Sequence, residues 1–322
     1  MSRSFAVRRA GKGGGSRSTP KVYALRVRLR VRYPICVAMT QYLGLFLVNG
    51  IVIGSIYALI ALGFNVIYST TGIINFAQGE FVMIGGLAAA WASVTLKWAL
   101  PWAIAAGIGI ASVVGLVSYL IGIRPAKGAS AVTYIIITIA LSIVLKSAAS
   151  FVWGTDPHTL PKIVEGGVRI GGGEAEKHAL LVIPAAGVCM LFLTIFFRFT
   201  RPGLNMRACA DSKEGARLCG ISVDSASAGS FALGAGLAGI SGVMITPLLS
   251  MQFDGGTMIG LKGFSAAILG GLGNPVGCVV GGLLIGVVEQ FICYISSGYK
   301  DILALGIVLV LLLVRPRGLI SR

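Results

Sequence analysis

The stretch GIINFAQGE, from Gly72 to Glu80, lies between two long apolar runs and ends on the first acidic residue of the chain. Asn75 and Gln78 are also polar, although the flanking sequence has the composition of membrane-spanning helices. Unpaired backbone groups are costly in hydrocarbon, so a polar break at membrane depth must be covered by protein or line water. The stretch is therefore either a short loop outside the bilayer or a break inside it.

The composition of the chain favours a membrane protein. Of its 322 residues, 56% are hydrophobic and 12% are charged, and the mean hydropathy is +0.88. Soluble domains carry about 25% charged residues. Apolar runs long enough to enter a bilayer lie near residues 42–68, 80–96, 99–123, 131–152, 179–199, 226–252, 263–293 and 301–314. We predict an all-α polytopic membrane protein.

The net charge of +16 raises the question of nucleic-acid binding, but the charge is not on a folded face. Ten of the 27 Lys and Arg residues lie in residues 1–38, which contain no acid, and most others flank apolar runs, as the positive-inside rule predicts. We therefore predict no nucleic-acid partner. Residues 1–38 are predicted to be a disordered basic extension. A transit peptide, a cytoplasmic tail or a mis-assigned start with Met39 as initiator would each explain it. Residues 39–322 are predicted to form a single transmembrane domain.

The charged loops predict the topology. The basic loops 124–127 and 198–224 are expected in the cytoplasm, and the mixed loop 153–178 outside. Eight simple crossings from a cytoplasmic N-terminus do not satisfy these sides, so each half needs one extra partial or full crossing. The run 42–68 is followed by the Gly72–Glu80 break, and the seventh run contains GGLGNPVG, whose Gly and Pro residues interrupt a helix. We predict eight to ten membrane segments, some of them broken or re-entrant.

Enzymatic chemistry has no support in the sequence. There is no P-loop, and the two histidines, His158 and His178, lack the HExxH spacing. The six cysteines are scattered without a CxxC pair, which favours free thiols over a disulfide framework or a zinc site. The GxGxxG match at Gly234–Gly239 lies inside an apolar run and is interpreted as close helix packing. We predict no catalytic residue, no metal and no cofactor.

Ionisable residues inside a membrane are costly, so they are candidates for function. Glu289 lies late in an apolar run, where it either contributes to a transport path or is an end-of-helix acid near the interface. Glu80 either contacts a passing solute or lies in the first turn of the next helix, where acids are favourable. Lys146 is a weaker candidate because it can extend its amine to the interface.

The segment RACADSKEGARLCGISVDSASAGSF, from Arg207 to Phe231, is rich in small residues and basic side chains. Small side chains let a short helix lie against a partner surface, and its cations can meet acidic groups. The spacing of Glu214, Ala216 and Gly220 reproduces an E-A-A-x-x-x-G pattern with one Ala replaced by Gly. The alternative is a solvated loop of the positive-inside kind.

From about Gln41 to Gly318 the chain resembles the LivH-type permease subunit of branched-chain amino acid ABC importers. Three blocks carry the resemblance: NGIVIGSIYALIALGFNVIYSTTGIINFAQGEFVMIGG, RACADSKEGARLCGISVDSASAGSFALGAGLAGISGVM and GLKGFSAAILGGLGNPVGCVVGGLLIGVVEQ. The resemblance implies the fold of the large many-helix ABC importer permeases, a bacterial inner-membrane location and transport of leucine, isoleucine and valine. It also implies three kinds of partner: two cytoplasmic ATP-binding subunits, a second related permease, and a periplasmic or lipid-anchored solute-binding protein.

Two sets of site residues follow. The ATPase-docking loop is predicted to use Arg207, Asp211, Glu214, Ala216, Arg217 and Gly220. The substrate path is predicted to include Asn49, Tyr57, Asn75, Gln78, Glu80 and Glu289. Alternative solutes are urea, amides and aromatic or dicarboxylic acids. An ion-driven secondary transporter is the rival hypothesis for the function. It would need coupling carboxylates in mid-membrane, and Glu289 is the only fair candidate for one.

Overall fold

The computed structural model describes residues 20–170, 173–295 and 306. Contacts divide the chain into two units, Met1–Leu43 and Gly44–Arg322. In the first unit the backbone is helical from Pro20 onwards, which differs from the disorder predicted for 1–38. This part contains no glycine and several good helix formers. Residues 1–19 and most of the predicted segment 301–314 lie outside the described residues, and the separation of an N-terminal extension from the permease domain stays a prediction.

Helices dominate the described residues, in agreement with the predicted class. The helices are α1 (Pro20–Thr71), α2 (Gln78–Val94), α3 (Leu100–Ser118), α4 (Ala131–Trp153), α5 (Lys177–Phe199), α6 (Arg201–Asp211), α7 (Lys213–Leu218), α8 (Val223–Ile245), α9 (Gly255–Gly270) and α10 (Pro275–Ile295). A π-helical turn and a 3-10 turn continue α3 to Ala126. The strands β1 (Gly167–Ile170) and β2 (Gly173–Glu176) form an antiparallel hairpin in the loop 153–178 of mixed charge.

The described residues include six helices that are long and apolar enough to cross a membrane. Two further helices are short: α2 has 17 residues and α9 has 16, or about 26 and 24 Å against a core of about 30 Å. Both lie beside a predicted break. Residues 72–77 separate α1 from α2, and residues 271–274 split the seventh apolar run into α9 and α10. The prediction of broken helices is confirmed.

The bundle is centred on α2 and α8. These two helices pack against each other and against α3, and α2 also packs against α9. Glycines make the close approach: a Cβ on Gly242 would meet the Val82 carbonyl of α2, and one on Gly234 would meet Gly63 and Ile67 of α1. The GxGxxG stretch therefore serves helix packing, as predicted. In contrast, α4 and α5 lie at the periphery, with 11% of each span buried.

The GxxxG pairs serve the contact between α1 and α10. A Cβ on Gly54 would meet the backbone of Gly282 and Leu283, and one on Gly286 would meet the backbone of Gly50 and Gly54. The two backbones therefore touch along two turns. This contact holds α10 against α1 and places Glu289, one turn further along α10, beside the interior of the bundle.

The two ends of the bundle differ in charge. At one end, Asp224 at the start of α8 binds Arg124 at 3.3 Å and Lys127 at 2.5 Å. Lys213 Nζ at the same end donates to the Thr71 carbonyl at 2.6 Å, which closes the C-terminus of α1. We call this the basic end. The opposite end carries the β1–β2 hairpin and a backbone bridge between His158 and Met251, and we call it the hairpin end.

These positions agree with the predicted grouping of the loops, since 124–127 and 198–224 share one end and 153–178 lies at the other. The expected extra crossing in the first half is not found among the described residues. The reason is that α1 already ends at the basic end. From there α2 leads away and α3 returns the chain to Arg124 at the same end, so no further segment is needed. In the second half, the split into α9 and α10 supplies the extra crossing.

Candidate functional site

A buried ionic cluster joins α1, α9 and α10 inside the bundle. Lys262 Nζ donates to Glu289 Oε1 at 2.7 Å, and Tyr57 Oη donates to Glu289 Oε2 at 2.8 Å. The ammonium also lies 5.6 Å from the centre of the Tyr57 ring, within reach of a cation–π contact. All three side chains are buried. Because each charge would be costly alone in the membrane, the three residues act as one unit.

Sequence reasoning found two members of this cluster and missed the third. Tyr57 and Glu289 were predicted for the path, and the structure brings them together. Lys262 was missed, although a lysine in the apolar run around GLKGF is a signal of the same kind as the acid at Glu289. Asn49 is half-buried on α1 about two turns before Tyr57 and does not join the cluster.

Asn75 and Gln78, at the break between α1 and α2, each make a different hydrogen bond that stabilises the fold. Asn75 is fully buried, and its Oδ1 accepts from the Ala77 backbone N–H at 3.1 Å, which stabilises the turn before α2. Gln78 Nε2 donates to the Gly234 carbonyl of α8 at 2.8 Å. The break is therefore held by protein rather than lying outside as a free loop. The role of these residues in a substrate path stays a prediction.

Glu80 lies in the first turn of α2, as one of the two alternatives predicted, but its side chain does not cap the helix. Helix α2 has no side-chain cap hydrogen bond, and Glu80 Oε1 accepts instead from Ser142 of α4 at 3.0 Å and from Thr257 of α9 at 2.9 Å. The side chain is 1% exposed, and Oε2 has no hydrogen-bond partner among the residues that the structure describes. A carboxylate oxygen with spare acceptor capacity thus lies deep in the bundle.

A cavity of about 330 Å³ opens beside this carboxylate, between α4 and α9. The two hydroxyls that bind Glu80 are in its wall, together with Lys146 of α4. Three phenylalanines line it as well: Phe264 lies with its ring centre 5.5 Å from that of Phe64 and 5.3 Å from that of Phe76. Ile139, Ile143 and Leu261 are exposed at its edge. One region of the cavity is polar, and another is aromatic.

The N-termini of the two short helices meet next to the same carboxylate. Gly79 at the start of α2 lies against Gly256 and Gly260 of α9, where an added Cβ would meet backbone atoms. Neither helix has a side-chain cap. The first N–H groups of a helix lack intrahelical partners and carry partial positive charge. Two such ends converge where Glu80 binds Thr257, an arrangement of broken helices that suits a charged solute.

At the basic end, α6 and α7 form a short helical pair fixed to the bundle. Ser212 Oγ accepts from the Gly215 N–H and caps α7. Gly220 has φ +76°, and its N–H and that of Ile221 donate to the carbonyls of Arg217 and Ala216, a Schellman ending. The glycine of the predicted pattern is therefore required by the backbone. A Cβ there would meet no neighbouring atom.

The predicted docking residues divide between two faces of this pair. Ala216 is buried and packs in a small apolar cluster with Met206, Cys209 and Ala226, so it holds the pair to the bundle. The predicted residues on the outer face are Arg207, Asp211, Glu214, Arg217 and Gly220, all of them exposed. Sequence reasoning missed Leu218, which is 90% exposed on this face.

Membrane-spanning helices with two short broken members, a buried ionic cluster and a docked helical pair at one end define a membrane permease. The family comparison agrees: residues 46–313 match the model of the family described as branched-chain amino acid transport system / permease component, and the chain belongs to this family. It is a multi-pass inner-membrane protein and a transport component, not a catalytic subunit.

The match extends over almost the whole length of the curated relatives. The chain is 35% identical over 297 residues to the high-affinity branched-chain amino acid transport system permease protein LivH of Salmonella typhimurium, covering 85% of this chain and 94% of that protein. It is 34% identical to the corresponding permease protein BraD of Pseudomonas aeruginosa, covering 86% and 95%. The solved structure of PsaBC from Streptococcus pneumoniae with a Fab aligns at 16% identity and TM-score 0.46, covering 84% of this chain and 92% of that one.

Proposed function

We propose that the chain is the permease subunit of an ATP-driven importer of branched-chain amino acids. In this proposal it forms the translocation path with a second, related permease, and two cytoplasmic ATP-binding subunits bind its basic end. A periplasmic or lipid-anchored solute-binding protein delivers leucine, isoleucine or valine to the hairpin end. The proposal rests on the family and on the names of the relatives, which are high-affinity branched-chain amino acid permeases.

The observation that carries the coupling to ATP is the helical pair α6–α7. Its outer face presents exposed charges and Leu218 to a partner, whereas its inner face is anchored by the Ala216 cluster. Lys213 ties α7 to the last turn of α1, directly before the polar break. Movement of a bound ATP-binding subunit would therefore be transmitted to α1 and to the break that leads into α2. Alternating access follows from that transmission.

The ion-driven rival receives less support from the site. A coupling carboxylate must gain and lose its ion during transport. Glu289, the residue named for that role, is engaged by Lys262 and Tyr57 at once. A carboxylate held by an ammonium and a phenol is poorly suited to binding a proton or sodium ion in turn.

The test is uptake by the reconstituted importer in proteoliposomes. We expect radiolabelled leucine to enter only with ATP and the solute-binding protein, and to stop entering when the ATP-binding subunits carry an inactivated catalytic glutamate. Uptake that persists with inactive ATPases, driven by an ion gradient, would overturn the importer. If the solute-binding protein binds urea and not leucine, isoleucine or valine, the substrate assignment is wrong and the permease assignment remains.

A further inference from the structure

We propose that the cavity between α4 and α9 is a binding site of the permease itself for an amino acid with an apolar side chain. This inference rests on the proposed function and adds to it a place within this subunit where the solute is held. The ligand class is a zwitterion whose third substituent is apolar. Its carboxylate binds at Lys146, its ammonium at the Ser142 and Thr257 hydroxyls in front of Glu80, and its side chain lies against the phenylalanines.

The cation of the site is Lys146. It lines the cavity one turn from Ser142, and no carboxylate of the described residues lies within ion-pair distance of it. Its Nζ lies over the ring of Phe253, 5.9 Å from the ring centre. A lysine in a membrane-spanning helix is costly unless a counter-charge offsets it. The carboxylate of a solute would supply that counter-charge, aided by the two uncapped helix N-termini nearby.

The negative charge next to the site is that of Glu80, which is buried behind the cavity wall and does not line the cavity itself. Its carboxylate lies directly behind the hydroxyls of Ser142 and Thr257, which form part of the cavity wall. Both hydroxyls donate to the same oxygen, so the second oxygen retains its acceptor capacity. A buried carboxylate with an unsatisfied oxygen is unfavourable on its own. An ammonium group in the cavity would donate to the two hydroxyl oxygens and would bring a charge of opposite sign close to this carboxylate.

The aromatic region explains the preference for an apolar side chain. The ring of Phe264 contacts those of Phe64 and Phe76, and the three rings present an apolar surface to the cavity. The volume of about 330 Å³ lies within the range of small-molecule sites, about 300–1,000 Å³. A lipid chain would fit the aromatic region as well, but it would leave Lys146 and the hydroxyls in contact with hydrocarbon at a cost. The polar region therefore favours the amino acid.

Direct binding is the first test. The complete complex of permeases and ATP-binding subunits, in nanodiscs without the solute-binding protein, is mixed with radiolabelled leucine. We expect weak, saturable retention of leucine that Lys146→Met lowers at least tenfold and Lys146→Arg largely restores. Unlabelled leucine amide, which lacks the carboxylate, should compete at least tenfold less well than unlabelled leucine. Retention that is equal in wild type and Lys146→Met, or equal competition by the amide, would overturn the site.

Uptake by the full importer is the second test, and it separates this inference from the proposed function. Lys146→Met and Phe264→Ala should lower the maximal rate at least tenfold at an unchanged half-saturating leucine concentration, because the solute-binding protein sets that concentration. The matched controls are Lys97→Met and Phe151→Ala, both at exposed positions outside the cavity, which should transport as wild type. Recovery of each intact complex reports on folding.

The outcomes are distinct. If wild type imports leucine and both cavity variants match it within twofold, the site is wrong and the proposed function stands. If only Phe264→Ala loses rate while Lys146→Met retains leucine and transports normally, the cavity holds an apolar group such as a lipid chain, and the zwitterion site is also wrong. If wild type imports no branched-chain amino acid, the proposed function fails and this inference fails with it.

Discussion

Lys262 of α9 and Glu289 of α10 form an ion pair of 2.7 Å whose side chains are only 9% and 6% exposed. The two helices are the halves of one long apolar run, broken at residues 271–274. The pair therefore joins the second half of a broken helix to the first, and Tyr57 extends the link to α1. The cluster therefore stabilises the same part of the bundle in which the glycine contacts bring α1 and α10 close together.

Removing one partner of this pair should destabilise the protein strongly. Glu289→Gln leaves the Lys262 ammonium buried without its counter-charge, and breaking a buried pair in this way costs about 3–5 kcal/mol. The double variant Lys262→Met, Glu289→Gln removes both charges and should recover a large part of the loss. The measurement is the thermal unfolding midpoint of the purified permease in detergent.

The exposed pair between Lys162 and Glu176 is the matched control. Its distance is similar, 2.8 Å, but its side chains are 42% and 50% exposed. Surface pairs contribute about 0–1 kcal/mol, so Glu176→Gln should shift the midpoint little. Equal shifts for Glu176→Gln and Glu289→Gln would show that the buried cluster has no special role in stability.

Within the permease, Gly220 should be sensitive to backbone strain and not to space, whereas on the docking face a large side chain would also obstruct a bound subunit. Its φ of +76° is unfavourable for residues with a Cβ, whereas a Cβ there would touch nothing. Gly220→Asn should be tolerated, Gly220→Val should weaken recovery of the ATP-binding subunits with the tagged permease, and Gly220→Trp should abolish it. Membrane insertion should be intact in all three. Normal recovery with Val and Trp would mean that this turn is only a connector.

Leu218 should carry part of the docking energy because it is the large apolar side chain on the exposed face of α7. Leu218→Ser should lower recovery of the ATP-binding subunits at least fivefold without changing the amount of permease in the membrane. Leu249→Ser, at a half-exposed leucine near the hairpin end, is the control and should leave recovery unchanged. A similar loss in both variants would point to general destabilisation instead of docking.

Two cysteines allow the docking face to be mapped by alkylation. Cys219 is exposed beside Leu218, whereas Cys209 is buried in the cluster under α6. Burial raises the pKa of the Cys209 thiol, against the opposing effect of Lys213 and Arg217. Because the thiolate is the reactive form, a raised pKa slows alkylation at neutral pH, and the rate should rise about tenfold per pH unit until the pKa is reached.

The experiment uses variants that retain only Cys219 or only Cys209. In the isolated permease, maleimide should modify Cys219 much faster than Cys209 at pH 7. Binding of the ATP-binding subunits should protect Cys219 and leave the slow rate at Cys209 unchanged. If Cys219 reacts equally fast in the assembled complex, the outer face of α7 is not the surface that the subunits cover.

Much of the fold could be predicted from sequence because hydropathy, glycine and proline act locally. The break at residues 271–274 follows from the glycines and Pro275, which end one helix and begin another. The predicted apolar run begins only at residue 263, whereas α9 begins at Gly255. Gly256 and Thr257 do not have apolar side chains of the kind a hydropathy pattern detects, although they pack against α2. Boundaries that depend on tertiary contact are not visible in a hydropathy pattern.

The site could be predicted only in part, for the same physical reason. Glu289 stands out as an acid in an apolar run, but its partner Lys262 lies 27 positions away and is selected by the packing of α9 on α10. The sequence also could not separate Ala216, which faces the bundle, from Glu214 and Arg217, which face outwards. Which residues meet across helices depends on helix rotation, which a single sequence specifies weakly.

The central helices make a final prediction about glycine. A Cβ on Gly242 would meet the Val82 carbonyl and the Gly86 N–H of α2, whereas one on Gly109 of α3 would meet nothing within 4 Å. Gly242→Ala should therefore force α2 and α8 apart and cost about 1–3 kcal/mol, and Gly109→Ala should be neutral or stabilise the helix by up to about 1 kcal/mol. The measurement is the thermal unfolding midpoint of each variant in the same detergent. Both variants add one methyl group, so the two shifts can be compared directly. If the two midpoints shift equally, the close approach of α2 and α8 is not what the glycine provides, and helix propensity alone explains its presence.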